Sequence, residues 1–124
     1  MMDRPDGFFN FGDLSAGISR TLAEGIQTQV FPGQQAMFSI VSFEPNSEGS
    51  IHAHPEEQWG VLLEGSGIRI QDGQEVPVGS GDFWCTPGDV AHGFRAGPDG
   101  AKVLDIFAPP REDYRKAGSG FGVS

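Results

Sequence analysis

The three histidines of this 124-residue chain lie in two separate segments, and this arrangement constrains the fold more than any other feature. Two of them, His52 and His54, flank one alanine, and the third, His92, follows a Pro-Gly turn. In an extended strand, residues two apart point to the same face. His52 and His54 can therefore present two imidazoles to one ion while His92 arrives from a neighbouring strand, which predicts a metal site. The alternative is three unrelated histidines, two of them on a solvated strand.

Glycines and prolines separate many short apolar or alternating runs, and this pattern predicts an all-β chain. The chain has 19 glycines and nine prolines, and its middle shows no long apolar stripe at helical spacing. An Asp72-Gly73 pair between two alternating runs predicts a tight hairpin. The predicted strands span residues 18–22, 26–31, 36–43, 51–54, 58–64, 68–71, 75–78, 82–85, 91–96 and 102–108. Many short strands at such spacing form a sandwich or a small barrel.

The length predicts one domain, residues 1–124, which can bury a core without disulfides. Its barrel core is expected at about residues 18–110, after an amino-terminal arm at 1–17 and before a loose tail at 117–124. The arm carries Phe8, Phe9 and Phe11, which are expected to cover a sheet edge or a dimer partner.

The net charge is −9, with 17 acidic and 8 basic residues and no cluster of lysine or arginine. Nucleic acid and anionic membrane surfaces are therefore excluded as expected partners. The single cysteine, Cys85, has no partner for an internal disulfide and is expected to be a small buried side chain. The first twenty residues contain no apolar run, so neither a secretory signal nor a membrane span is expected, and a cytoplasmic location is predicted.

Two segments resemble the motifs of the cupin family. Residues 49–65, which read GSIHAHPEEQWGVLLEG, resemble the first motif: a glycine, then HxH, then an acidic or amide ligand, then a closing glycine. Residues 81–92, GDFWCTPGDVAH, resemble the second, with a leading glycine, a proline turn and one histidine. The resemblance, with its flanking strands, extends over about residues 18–110. It implies a jelly-roll barrel, also called a double-stranded β-helix, that holds a metal or small ligand in its mouth.

This chain departs from the commonest cupin pattern at two places. The expected fourth metal ligand, usually glutamate, is Gln58; Glu56 has the same parity as the histidines, so the choice of Gln58 rests on the family spacing. Three residues separate Gly88 from His92 where the commonest motif has two, and Ala96 stands where the motif often has asparagine. Three neutral imidazoles and one amide leave an ion its full charge, which favours Lewis-acid chemistry. An amide also cannot act as a general base.

Residues 92–114 are similar to the C-terminal strand and exit of the small cupins of the pectin-degradation type, the KdgF-like proteins. Members of that group linearise 4,5-unsaturated uronates with a metal held by three histidines and a glutamine. The resemblance implies one divalent ion, zinc, nickel, manganese or iron, and a homodimer built through exchanged amino-terminal strands. The implied site consists of the metal ligands His52, His54, Gln58 and His92, the catalytic residues Asp105 and Arg111, and the substrate-binding residues Phe107 and Arg111.

The implied residues have structural alternatives. Asp105 shares a strand face with Phe107 and could point either inward or outward. Arg111 could pair with Glu112 or Asp113 on a solvated loop. The residues assigned to the sheet or core are Arg69, Arg95, Trp59 and Trp84. The residues assigned to an exposed turn beside the site are Glu56 and Glu57. Two other functions stay open, an iron-dependent dioxygenase and a non-catalytic module that binds a metal or small ligand.

Overall fold

The computed structural model describes residues 4–121, and its regular structure is almost all strand, which confirms the all-β prediction. The strands are β1 (Ile18–Ala23), β2 (Ile26–Pro32), β3 (Met37–Phe43), β4 (Glu57–Gln71), β5 (Gln74–Gly79), β6 (Phe83–Thr86), β7 (His92–Ala108) and β8 (Gly118–Ser119). These eight strands of the described residues join one sheet in the order β5-β4-β7-β3-β2-β1-β8, and β6 pairs with β4. A short 3₁₀ helix, Glu112–Arg115, lies between the last two strands.

Strands β4 and β7 are long, and each replaces two short strands of the sequence-based prediction. Their antiparallel pairing continues along both strands, with register shifts between Leu62 and Glu64 and between Gly65 and Gly67. Gly65 has a φ of +87°, and the backbone of Gly100 occupies the position that a Cβ would need. The predicted breaks are therefore irregular pairings that bend the two strands without ending them.

The prediction of a strand at 51–54 is wrong, but the predicted approach of His52 to His92 is correct. Only His52 pairs there, in an isolated antiparallel bridge with His92. The two residues exchange both backbone hydrogen bonds, each with an N···O distance of 2.9 Å. Pro55, which follows, has no N–H with which to extend a ladder. This single bridge brings the HxH segment against the third histidine.

Two apolar clusters form the core. The larger joins β1, β2, β3, Phe107 of β7 and the C-terminal segment, and the smaller joins β4 and β7. Residues of both clusters line one cavity between them, so apolar side chains surround the polar groups of that cavity. The buried members are Leu22, Ile26, Val30, Met37, Val41, Phe107 and Tyr114 in the larger cluster, and Leu62, Phe94, Ala96 and Val103 in the smaller.

The prediction of a loose C-terminal tail is wrong for its described part. Residues Gly118–Ser119 form β8, which pairs in parallel with β1. The buried guanidinium of Arg20 on β1 donates hydrogen bonds of 2.8 Å to the carbonyls of Ser119 and Gly120. A buried arginine needs acceptors, and the backbone of this segment supplies them. The end of the predicted tail, 122–124, lies outside the described residues.

The amino-terminal arm lies on the surface. Phe8, Phe9 and Phe11 are 62%, 51% and 48% exposed. Phe9 packs against Phe31 of β2 with ring centroids 4.6 Å apart. The first three residues of the predicted arm lie outside the described residues. Among residues 4–121, no helix has the length and apolar character needed to cross a membrane.

Candidate metal centre and its cavity

The three histidines meet at one end of the cavity. One ring nitrogen from each of His52, His54 and His92 lies within 4.8 Å of the other two, an arrangement that could hold a metal ion. His54 and His92 are buried, and His52 is half-buried. The bridge between residues 52 and 92 and the turn before His92 therefore produce the three-histidine cluster that the sequence predicts.

Hydrogen bonds fix which nitrogen of each ring faces the cavity. The Nδ1 atoms of His52, His54 and His92 lie 3.0, 3.1 and 2.8 Å from the backbone carbonyls of Ser50, Glu56 and Val90. A carbonyl only accepts, so Nδ1 carries the proton and the lone pair is on Nε2. This is the second contact that metal-binding histidines usually make.

The imidazoles are also neutral, as metal ligands must be. Burial lowers the pKa of His52 and of His54, and it lowers the pKa of His92 to about 3. The Nε2 atom of His92 is buried and has no hydrogen-bond partner among residues 4–121. A buried lone pair with no donor fits a metal ion, and no other group described around it satisfies that atom.

The side chain of Gln58 lies on the same side as these lone pairs. Its Oε1 is 3.0 Å from Nε2 of His54. With the His54 proton on Nδ1, both atoms are acceptors, and they lie together as two ligands of one cation would. Adjacent octahedral ligands at about 2.1 Å from an ion are about 3 Å apart.

Glu56 lies on the Nδ1 side of His54, and the prediction that it occupies an exposed turn is wrong. Its Oε1 is buried, 3.3 Å from Nδ1 of His54 and 4.0 Å from Nε of Arg111. The carboxylate is thus on the Nδ1 edge of His54, away from the lone pairs. Of the two candidates for a fourth ligand, the structure brings Gln58 and not Glu56 to the metal side.

Asp105 points into the cavity from β7. The residue is half-buried as a whole, but its Oδ1 has almost no accessible surface and no hydrogen-bond partner among residues 4–121. Burial raises the pKa of the Asp105 carboxyl to about 6, although Arg69, Gln58 and Arg111 act in the opposite direction. The inward orientation is thus the one that the structure has, and it leaves a carboxyl that can be protonated near neutral pH.

Arg111 is buried at the same wall, and its pairing with Glu112 on a solvated loop is wrong. The residue is 3% exposed, and Glu112 pairs instead with Arg115 at 2.8 Å. The guanidinium lies over the ring of Tyr114, 4.5 Å from its centroid, and 5.6 Å from that of Phe107. Both Nη atoms are buried without a hydrogen-bond partner in the described part of the chain. Two parallel donors with no acceptor suit a carboxylate.

Sequence reasoning missed Arg69, which it assigned to the sheet or core. The residue is buried and lines the cavity, and its Nη2 donates to Oγ1 of Thr86 at 2.8 Å. Inward positions on β4 are even-numbered as far as Leu62, and after the register shifts they are odd-numbered. Parity alone therefore could not assign Arg69. The available signal was a charged residue between two apolar ones, Ile68 and Ile70.

Tyr114 and Phe121 also line the cavity, and no motif predicted them. Both lie after β7, in segments without strand periodicity. The cavity has a volume of about 40 Å³. That is enough for an ion with a few water molecules, and far below the roughly 300–1,000 Å³ of typical small-molecule pockets.

Comparison with known proteins gives the family. The family described as cupin domain matches residues 39–107, more than half of the chain. Dimethylsulfoniopropionate lyase DddW from Ruegeria pomeroyi is 35% identical over 89 residues, which are 72% of this chain. This chain spans 57% of the length of that lyase.

Two solved structures are similar over nearly their whole length. One is an RmlC-like cupin from Shewanella frigidimarina, with 26% identity and a TM-score of 0.77 over 91% of this chain and 99% of that one. The other is KdgF from Halomonas sp., with 24% identity and a TM-score of 0.77 over 88% and 98%. These neighbours confirm the jelly-roll barrel and the likeness to small KdgF-like cupins. With two motifs, the barrel and the family match in agreement, the chain belongs to the cupin family.

Proposed function

We propose that this protein is a metal-dependent enzyme that opens the ring of a small sugar acid, a 4,5-unsaturated uronate. The observation that carries the proposal is the composition of the cavity. A cluster of neutral histidines lies beside a cavity that is also lined by a buried carboxyl with an unpartnered Oδ1 and a buried guanidinium with two unpartnered Nη atoms. Three kinds of group that such a reaction needs therefore line one space.

Arg111 supplies the binding site for the carboxylate of the substrate. Its two Nη donors can contact both oxygens of a carboxylate, and Phe107 beneath the guanidinium limits where the sugar ring can lie. Because the chain carries a net charge of −9, an anionic substrate needs such a local cation.

Asp105 is the group that moves the proton. In ring opening, the anomeric hydroxyl loses its proton to the Asp105 carboxylate, the bond between the anomeric carbon and the ring oxygen breaks, and an aldehyde and an enolate result. Return of this proton to the vinyl carbon then converts the enolate to a ketone, with no net oxidation or reduction. A carboxyl with a pKa of about 6 can accept and return a proton near neutral pH.

The residues that would hold the metal are His52, His54, Gln58 and His92. A divalent ion of zinc, nickel, manganese or iron would supply Lewis-acid polarisation of a substrate oxygen, because four neutral ligands leave its charge intact. Gln58 cannot take up a proton, so the proton transfer falls to Asp105.

The test is turnover of an unsaturated uronate without oxygen, followed by loss of the unsaturated chromophore. Asp105→Asn should still bind the uronate and should lose about 10²–10⁴ in rate. Asp99→Asn, at an exposed position of β7, is the matched control and should turn over normally. Wild-type rates in Asp105→Asn would contradict the mechanism. Oxygen consumption with another substrate would favour the dioxygenase, and no turnover at all would favour the binding module.

A second candidate is cleavage of dimethylsulfoniopropionate, which the 35% identity to DddW favours. This molecule carries a carboxylate and a sulfonium cation. Arg111 could hold the carboxylate, the rings of Phe107 and Phe121 could face the sulfonium, and Asp105 could remove a carbon-bound proton as dimethyl sulfide leaves. Release of dimethyl sulfide into the headspace, measured beside uronate turnover, decides between the two.

We also propose that the protein is a cytoplasmic homodimer in which the amino-terminal arm contacts the partner. The exposed Phe8, Phe9 and Phe11 form an apolar surface with Phe31 and Phe38. Light scattering at micromolar concentration should give a dimer mass, and Phe8→Ser with Phe11→Ser should lower it toward the monomer. A wild-type monomer would contradict this assembly.

A further inference from the structure

We infer that Phe121 is the gate of the metal cavity, a side chain that must move to admit a substrate and that restricts which molecules enter. The inference rests on the proposed function only in requiring that a small molecule reach the histidines. A cavity volume of about 40 Å³ cannot contain a sugar ring, so part of the wall has to move.

Phe121 covers the half-buried histidine of the cluster. Its ring centroid lies 4.8 Å from that of His52, with 33° between the ring planes. The edge of the ring, at Cζ, is 3.0 Å from the position that a Cβ would take at Gly49. A larger residue at 49 would push the ring away, so the glycine of the first motif makes this close cover possible.

The ring of Phe121 separates two spaces. On one side is the cavity with Asp105 and Arg111, and on the other is an open groove of about 670 Å³. Phe121 and His52 line both, and the groove continues along Glu48 and Ile51. Displacement of this one side chain would therefore join the cavity to the groove, which is large enough for a small-molecule ligand.

Hydrogen bonds fix the backbone before Phe121, so the side chain of Phe121 is the part that moves. The N–H of Gly120 donates to the carbonyl of Thr21 at 2.8 Å. Arg20 donates to the carbonyls of Gly120 and Ser119, and also to those of Asp113 and Lys116 at 3.0 and 3.4 Å. Phe121, in contrast, is half-buried and is held by ring packing. The movement is therefore a rotation of the Phe121 side chain about its own bonds, with the backbone of Gly120 held in place.

The ring that closes this gate is only half-buried. It packs on His52 and against the edge of the larger apolar cluster, and a partly exposed ring of this kind opens more often than the core beneath it. The gate therefore delays entry without blocking it, and its removal should change access to the histidines by a measurable factor.

Carbethoxylation by diethyl pyrocarbonate measures that access directly. The reagent modifies neutral imidazole nitrogens, and the chain has three histidines, all of which belong to the cluster. On tag-free, metal-free protein, the absorbance of N-carbethoxyhistidine therefore has no background from histidines outside the cluster. His52 also lines the open groove, so entry to the cavity is read from modification of the two buried histidines, His54 and His92, located by peptide mass spectrometry. Phe121→Ala should react about three- to tenfold faster than wild type, the factor that corresponds to loss of one aromatic contact.

Phe83→Ala is the control, because Phe83 is 69% exposed and lines a different groove. It should react at the wild-type rate. If thermal unfolding shows that Phe121→Ala is not folded, Phe121→Leu, which removes the ring and keeps apolar bulk, should still react faster than wild type. Equal rates in wild type and in the folded Phe121 variants would overturn the gate.

This experiment separates the gate from the proposed reaction, since it uses neither metal nor uronate. Faster modification in Phe121→Ala without any uronate turnover supports the gate and contradicts the substrate. Uronate turnover with unchanged modification rates supports the substrate and contradicts the gate.

Discussion

The two walls of the cavity differ in how many of their polar atoms have hydrogen-bond partners within the chain. In the histidine wall, formed by His52, His54, Gln58 and His92, the Nδ1 atom of each ring bonds a backbone carbonyl two residues away. In the acid–arginine wall, formed by Asp105, Phe107 and Arg111, the carboxyl oxygen Oδ1 and both Nη atoms are buried without hydrogen-bond partners among residues 4–121.

The difference shows which part of the site is complete before a ligand arrives. Local contacts orient the histidine wall, and only its lone pairs are left for an ion. The acid–arginine wall includes groups that each cost about 1–3 kcal/mol when buried without a partner. Such a cost persists in proteins where function needs it, so this wall is the one that a substrate would complete.

The largest effect is expected from removal of a histidine. His92→Ala should weaken binding of zinc or nickel by more than about 100-fold. Loss of a group that only hydrogen-bonds a metal ligand already lowers metal affinity by about 10–100-fold, and loss of the ligand itself should lower it further. Calorimetric titration measures the affinity, and wild type at about 100 times its dissociation constant should gain about 2.7 kcal/mol of stability. Gln27→Ala, at an exposed position on β2, is the control. Undiminished metal binding by His92→Ala would remove Nε2 of His92 from the ligand set.

The difference between the two walls also explains which parts of the site could be predicted from the sequence. The histidine wall depends on short-range features, the HxH spacing and the Pro-Gly turn, and the structure brings those histidines together as predicted. The three-residue spacing between Gly88 and His92 does not prevent this. Whether Gln58 is a ligand remains a prediction, supported by its position beside His54.

The rest of the cavity depends on long-range features that sequence patterns do not contain. The register shifts after Leu62 reverse the parity of inward positions, so Arg69 could not be assigned by counting. Phe121 lies in a glycine- and serine-rich tail, where composition indicates a loop and only the contacts of Arg20 place the chain. Asp105 and Arg111 were found through resemblance to a family, not through spacing.

The second prediction concerns the buried carboxyl of the acid–arginine wall. The pKa of Asp105 is raised from 3.8 to about 6, so between these pH values the folded chain holds a proton that the unfolded chain has lost. Its contribution to stability is therefore present below pH 3.8 and is lost as the pH rises through about 6. In metal-free protein, Asp105→Asn should gain about 2–3 kcal/mol relative to wild type between about pH 4 and about pH 7.

Urea unfolding of both proteins at the two pH values measures this difference. Asp99→Asn, at an exposed position, should give nearly the same difference from wild type at both pH values. A gain by Asp105→Asn that does not depend on pH would mean that the carboxyl is already ionised without cost in the folded chain.

The third prediction concerns binding and stability at Arg111. Arg111→Met should raise the KM for an anionic substrate by about 10- to 100-fold, the value of hydrogen bonds to a charged group. The unfolding free energy should fall as well, because removal of the cation leaves the Glu56 carboxylate without its charged neighbour. Arg111→Lys keeps the charge without the two parallel donors and should give an intermediate KM. A large loss of stability with an unchanged KM would make Arg111 a structural residue of the core.

The smallest effect is expected at Glu56, whose carboxylate lies between the two walls. Glu56→Gln keeps the backbone carbonyl that accepts from His54 Nδ1 but removes the charge that lies 3.3 Å from His54 and 4.0 Å from Arg111. Metal affinity should fall by about tenfold, at the low end for a group behind a ligand, and the KM should rise because Arg111 loses a fixed neighbour. Glu57→Gln is the matched control, since Glu57 is exposed and accepts a hydrogen bond from Trp59. An equal effect in the control would show that general charge, not this contact, acts on the site. No effect in Glu56→Gln would show that the histidine wall binds the metal, and the acid–arginine wall binds the substrate, independently of each other.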